Sequence, residues 1–319
     1  MRQITLPSGR ATSQLGLGCG PLHGGLLAGA SGRLLDAAFE AGIRHFDVAP
    51  PYGLGLAEGV VGGHFADRLD EITLATKAGI ARPRRPLLMS SVRHLVKPVL
   101  GRLPGWPAAA QQVRDTAAPS GNFDPDSVRR SFADSLLRLG ADKVDIFLLH
   151  EIEAASLTPQ LAELLNELLR NGLTDAIGVG TTRDEAVKIA TAYPNLAAVQ
   201  QYRWNVFESP LPADPGGLVI THGAIGPALE EMAARFAADP DAGARWSAAA
   251  NADLADTRVL ADVLLAAALA ENRTGLMLFY SHNPDRIRRA VEVSGNAKLI
   301  DAGAALSRAI RHEQNFHHA

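Results

Sequence analysis

Four side chains of unlike chemistry close or follow successive apolar runs: Asp47 and Tyr52 in HFDVAPPY, Lys77 within ITLATKAG, and His150 at the end of VDIFLLH. Together they suit proton delivery to a carbonyl oxygen beside a hydride donor. A phenol alone, with a pKa of about 10, is a poor acid at neutral pH. An ammonium beside it lowers that value, and a carboxylate keeps the ammonium charged and in place. An imidazole on the other side orients the carbonyl and shares the proton. Tyr52 is thus assigned as the acid, Lys77 as its tuner, Asp47 as the anchor and His150 as the orienter. The chemistry asks for no metal. Taken singly, Asp47 would serve as a loop cap, Tyr52 as packing in a Pro-Pro-Tyr-Gly turn, and His150 as a core histidine. Lys77 resists such a reading, because a charge inside an apolar strand is costly to bury unpaired.

The runs that carry these residues are short and apolar on both faces, as strands of a parallel sheet are. Eight are legible: LGLG, HFDVA, ITLATKA, VDIFLLH, AIGVG, AAVQQY, GLVITH and GLMLFY. Helical periodicity fills most of the intervals. The first helix starts with Ser31 as N-cap and stops at Ala41-Gly42; others cover residues 55–68, 126–139, 159–170, 183–192, 256–271 and 285–293. Gly140 and Asn171-Gly172 supply stops, and Pro284 a start. Eight strand–helix units predict a (β/α)8 TIM barrel, whose active sites lie at the carboxyl ends of the strands. A doubly wound sheet is the rival. It would want a glycine-rich turn after the first strand, which GLGCGPLHGG matches only loosely. The opening QITLPSGRATSQLGLGCG predicts an N-terminal β-hairpin whose second strand runs through LGLG.

The whole of residues 1–319 is expected to form one domain. Residues 81–125, after the third barrel strand, are too long for a plain loop. No Asp or Glu falls between Ile72 and Arg114, while Arg82, Arg84, Arg85, Arg93, Lys97 and Arg102 do. That composition predicts either a basic lid for an anionic ligand or a solvated surface excursion. Residues 237–255, with Trp246, could form a second flap. Residues 297–319 form a C-terminal extension: a terminal helix over 297–311, then a frayed tail with His312, His317 and His318.

A net charge of −3 over 319 residues gives no general pull toward nucleic acid or anionic membrane. The single cysteine, Cys19, excludes an internal disulfide and fits a reducing compartment. MRQITLPSGR lacks the apolar core of a signal peptide, and no run approaches a membrane span. A cytoplasmic protein is expected. Its oligomeric state is not legible.

The order of GLGCG, FDVAPPYGLGLAEGVVG, LATKAG, SLLRLGADKVDIFLLHE, AIGVGT and AVQQY resembles the aldo-keto reductases, and in particular the branch of aldose, L-galactose, L-fucose and pyridoxal dehydrogenases. The likeness covers roughly residues 3–295. It implies a barrel enzyme that uses NADP or NAD on a small carbonyl or sugar-like substrate, with Asp47, Tyr52, Lys77 and His150 as the catalytic set. The cofactor contacts it implies fall on Gly18, Cys19, Thr181, Gln200, His222, Ser281, Asn283 and Arg286. Several positions depart from the family pattern. Thr181-Thr182 replace the usual Ser-Asn, Thr221-His222 stand where a stacking tyrosine is common, and Tyr280 replaces a lysine. Arg286 favours NADP through a ribose phosphate, and Tyr280 weakens that preference. These departures leave open an alternative, a reductase-like barrel that senses cofactor or serves as an assembly subunit. A third reading, Lys77 as a Schiff-base nucleophile, is opposed by its carboxylate partner.

Overall fold

In the computed structural model, residues 1–83 and 121–317 are described. Arg84, Arg85, Arg93, Lys97 and Arg102 of the expected lid, and His318 of the tail, lie outside the described residues.

A two-stranded antiparallel hairpin opens the chain, β1 (Gln3–Thr5) pairing with β2 (Ala11–Ser13). Eight parallel strands then close into a barrel in the order β10-β3-β4-β5-β6-β7-β8-β9. They are β3 (Leu15–Gly18), β4 (His45–Asp47), β5 (Thr73–Ala78), β6 (Val144–His150), β7 (Thr174–Gly180), β8 (Val199–Arg203), β9 (Leu218–His222) and β10 (Leu276–Phe279). The helices are α1 (Ala28–Glu40), α2 (Ala57–His64), α3 (Pro125–Leu139), α4 (Pro159–Arg170), α5 (Arg183–Ala192), α6 (Gly226–Ala238), α7 (Pro240–Ala250), α8 (Thr257–Glu271), α9 (Pro284–Ser294) and α10 (Ala297–His317). The closed parallel sheet settles the architecture in favour of the TIM barrel.

One local device recurs at the helix starts. Asp124, Thr158 and Asn283 each accept a backbone N–H with their side chains while a proline opens the helix. Such a cap satisfies an orphan donor, and the proline gives up an N–H that had no helical partner. Each helix therefore begins at a defined residue, which fixes the loop that precedes it at the barrel mouth.

Side chains alternate across every strand, so every second residue points to the barrel axis. Ala75, Ile146, Leu148, Ala176, Val199, Leu218, Ile220, Leu276 and Leu278 fill the axis as one buried cluster, which Ile4 and Leu6 of the hairpin join from below. The intervening residues, such as Phe46, Leu74, Phe147 and Val179, face outward into the larger core beneath the helices. The hairpin is thus the floor of the barrel.

The hairpin differs from the sequence expectation. Its second strand stops at Ser13, and LGLG is a separate barrel strand. The chain divides at Gln14, whose buried amide donates to the carbonyls of Leu269 and Asn272. Ser31 is not an N-cap either: it lies inside α1, and its hydroxyl exchanges hydrogen bonds with the backbone of His23. Residues 237–255 are no flap. They hold α7, whose Trp246 is buried between Phe236 and Phe207. The terminal helix α10 continues to His317 rather than fraying after Arg311, and Arg311 pairs with Glu271 at 2.6 Å. Among the described residues, no helix is long and apolar enough to cross a membrane.

Because Leu6 is a buried part of the floor, far along the axis from the mouth, Leu6→Ala is expected to cost about 2–5 kcal/mol of stability. Chemical denaturation measures this; a loss below about 0.5 kcal/mol would mean the hairpin does not seal the barrel.

Candidate active site

Asp47 and Lys77 face the axis from neighbouring strands. Lys77 is 1% exposed and Asp47 2% exposed, and Lys77 Nζ lies 2.5 Å from Asp47 Oδ1. The ammonium also donates to the Val48 carbonyl at 3.1 Å, and the nearby Tyr52 favours the charged amine. Two of its three protons thus have hydrogen-bond acceptors, and the Tyr52 ring lies beside the ammonium. The second Asp47 oxygen, Oδ2, accepts from Gln201 Nε2 at 3.0 Å. A buried ion pair is tolerable only when its remaining bonding capacity is met in this way.

Tyr52 reaches the pair from the loop after β4. Its N–H donates to the Ala49 carbonyl, and the next residue, Gly53, donates to Gly20. Gly53 and Leu54 both take the left-handed conformation at φ 58°. A β-carbon on Gly53 would sit 1.7 Å from the Leu22 carbonyl oxygen, so only glycine fits this close approach. The α2 helix that follows is tied to β5 by Glu58, a fully buried carboxylate that accepts from the Thr76 hydroxyl at 2.8 Å. The other oxygen of Glu58 pairs with Arg82, which also bonds Asp134 and the Gly55 carbonyl. Arg82 is therefore a brace for the tyrosine loop, not a cation offered by a lid.

Around this group the tyrosine ring lies 4.8 Å from the ammonium. The His150 ring meets Tyr52 edge-on at 5.9 Å between centroids. All four expected residues share one end of the barrel. Their ionisation departs from the simple expectation. Burial pushes the Tyr52 phenol above its ordinary value, and Lys77, although it pulls downward, does not reverse the shift. The phenol therefore rests protonated, as a proton donor must. Burial pulls Lys77 down, but Asp47 and Tyr52 outweigh it and the net shift is upward, so the amine stays charged and is no nucleophile. Burial and the Lys77 charge lower His150 to about 3, which makes it a neutral imidazole rather than a sharer of the proton.

The match to known proteins bears on this arrangement. Residues 15–213 match the model of the aldo/keto reductase family. The chain belongs to that family. It is 31% identical over 215 residues to a D-threo-aldose 1-dehydrogenase of a Pseudomonas species, covering 64% of this chain and 60% of the relative. It is 33% identical over 177 residues to a pyridoxal 4-dehydrogenase of Microbacterium luteolum, covering 52% and 47%. The chain thus spans about half to three fifths of the length of these relatives. In structure it resembles a glycerol dehydrogenase from Gluconobacter oxydans, with a TM-score of 0.68, 21% identity, and coverage of 98% and 95%.

The residues expected at the cofactor divide into two groups. Gly18 ends β3, and His222 ends β9, exposed at the rim; Tyr280, just past β10, is 67% exposed. Arg286 is exposed on the first turn of α9 and makes no ion pair among the described residues. Ser281 accepts from the Asn283 N–H, and Asn283 in turn caps α9. The side chains of Cys19, Thr181 and Gln200 are engaged elsewhere. Cys19 is fully buried on the outward face of its strand, and burial pushes its thiol well up. The Thr181 hydroxyl donates to the Ile152 carbonyl. Gln200 donates to the Pro215 carbonyl, because strand alternation turns it away from the axis and turns Gln201 inward. Sequence reading missed Gln201, Glu58 and Glu151. The parity of β8 was the available signal for Gln201. Glu151, beside His150, carries a left-handed φ of 57° that no sequence pattern announces.

Acid stability follows from the buried imidazoles. His45, below Asp47 on the same inward face, is lowered to about 4 by burial, as His150 is to about 3. The unfolded chain binds protons below about pH 6.5 that the folded chain refuses, so stability declines from there toward pH 4. His45→Phe removes one such proton. The slope of unfolding free energy against pH should fall by about 1.4 kcal/mol per pH unit across that window. An unchanged slope would show that His45 is not buried and neutral.

Proposed function

We propose that the protein is an NAD(P)-dependent oxidoreductase that transfers a hydride between nicotinamide and an aldehyde, lactol or aldose-type carbonyl. Tyr52 is its general acid and base. The observation that carries this reading is the fully buried Asp47–Lys77 pair beside a protonated tyrosine, with a neutral histidine against the ring. The activities named for the aldose and pyridoxal dehydrogenases agree with it. A relative in Escherichia coli K12 is named an NADH-specific methylglyoxal reductase, which supports a small aldehyde as substrate and keeps NAD eligible as carrier.

The residues at the mouth support a nicotinamide nucleotide there. Gly18 has no side chain to obstruct a flat ring, and the inward Gln201 amide and the exposed His222 flank the same opening. Arg286 would hold a ribose phosphate, with Ser281 and Asn283 at the same turn. Tyr280 adds no second charge, so both NADP and NAD suit the site. When bound, the reduced cofactor supplies the hydride.

The chain's own residues handle the proton. As the carbonyl oxygen gains charge, the Tyr52 hydroxyl donates to it, and the phenolate left behind is stabilised by the Lys77 ammonium. Asp47 keeps that ammonium charged throughout. The neutral His150 donates an N–H to the same oxygen and holds it in line. In the oxidative direction the phenolate takes the proton of the substrate alcohol. The cationic, carboxylate-paired Lys77 opposes a Schiff-base route.

Tyr52→Phe should leave binding of NADPH or NADH intact by fluorescence titration. Turnover with an aldehyde panel should fall on the order of 10²–10⁴-fold. Turnover equal to the parent would remove Tyr52 from the reaction.

A further inference from the structure

We propose that Arg203, together with His222, forms an anion-binding subsite on the rim of the barrel that takes a carboxylate or phosphate group. The proposal rests on the placement of the active site given above, and it goes beyond the catalytic set. Arg203 is the last residue of β8, two beyond Gln201 and four beyond Val199. Val199 lies in the axial cluster and Gln201 bonds Asp47, so the same alternation brings Arg203 to the inner rim just above them. Its register partner across the sheet is His222, and the Trp204 N–H donates to the His222 carbonyl at 2.9 Å.

The arginine stem runs across Gly223. A β-carbon there would come within 3.1 Å of Arg203 Cγ, so a side chain at that position would crowd the arginine. Gly223 also takes a left-handed φ of 78°, which favours glycine on its own account. The result is an exposed arginine and an exposed histidine on register-paired residues at the mouth.

The charge of Arg203 is uncompensated. Arginines on the outer helices pair with carboxylates, as Arg129 does with Glu167 and Arg289 with Asp262. Arg203 makes no ion pair among the described residues. Within the mouth, Lys77 is neutralised by Asp47, and the surrounding protein lowers His222 as it does His150, with Arg203 itself contributing to the shift at His222. Glu151 follows the end of β6, two strands from β8. A ligand anion is therefore attracted on the β8–β9 side, where the unpaired cation lies. Arginine presents paired donors that match a planar carboxylate or a phosphate. His222 adds a neutral N–H donor. A substrate whose carbonyl lies against Tyr52 and His150 would reach this subsite with an acid group on its distal end. The cofactor's phosphates carry the same chemistry, and the test separates the two sources.

Arg203→Gln and Arg203→Lys are compared with the parent in three assays. The first is the ratio of kcat/KM for 4-carboxybenzaldehyde to that for benzaldehyde. The second is binding of NADPH and NADH. The third is binding of benzoate, followed through the fluorescence of the adjacent buried Trp204. If the subsite serves substrate, Arg203→Gln lowers the kcat/KM ratio and weakens benzoate on the order of tenfold, and Arg203→Lys retains part of both. If it serves the cofactor, both nucleotides bind about tenfold more weakly and the ratio stands. An unaltered ratio with unaltered binding of nucleotides and benzoate overturns the proposal. Benzoate binding needs no turnover, so an absence of hydride transfer would count against the catalytic reading without deciding this one.

Discussion

A lysine and an aspartate with almost no solvent access, 2.5 Å apart inside a barrel of apolar side chains, govern how the rest of this molecule is arranged. Removing two charges from water costs several kcal/mol per ion, and mutual attraction offsets it only when every remaining bond is made. The chain meets that demand with specific groups. Gln201 covers the free carboxylate oxygen, the Val48 carbonyl takes a second ammonium proton, and the Tyr52 ring lies 4.8 Å from the ammonium. The tyrosine is thus placed beside a fixed positive charge. Chemistry and stability draw on the same few contacts.

That constraint reaches outward through the barrel. Tyr52 can meet Lys77 only if Gly53 turns left-handed against Leu22 and if α2 is fixed to β5 by the buried Glu58. Glu58 in turn depends on Arg82 for its second oxygen. Below the pair, Ala75, Leu148 and Val199 seal the axis, and the hairpin closes the floor with Ile4 and Leu6. One end of the barrel is closed by apolar side chains, and the other carries exposed polar residues, Arg203 and His222 among them. This polarity turns four side chains into a site with a single approach.

Much of this was legible in the chain because parallel strands buried on both faces are short apolar runs, and a barrel puts their ends on one rim. The strand ends at Asp47 and His150 needed no more than that. What escaped was set by contacts distant in sequence. Gln200 and Gln201 are chemically identical neighbours, and only the pleat decides which one meets Asp47. Ser31 has the residue type of a cap, yet its hydroxyl is taken by His23. The segment around Trp246 looked featureless because its partners, Phe207 and Phe236, come from other elements. The ionisation of Tyr52 also escaped, since burial outweighs the neighbouring ammonium and no sequence pattern weighs the two.

The direct test of the ion pair's governing role is turnover of Lys77→Met at neutral pH, measured on protein verified as folded by near-ultraviolet circular dichroism. With the ammonium gone, the phenolate formed on proton donation has no counter-charge. Turnover should fall by about 100-fold or more while nucleotide binding persists. A variant that turns over within a few-fold of the parent would contradict the claim that the buried lysine makes the tyrosine an acid.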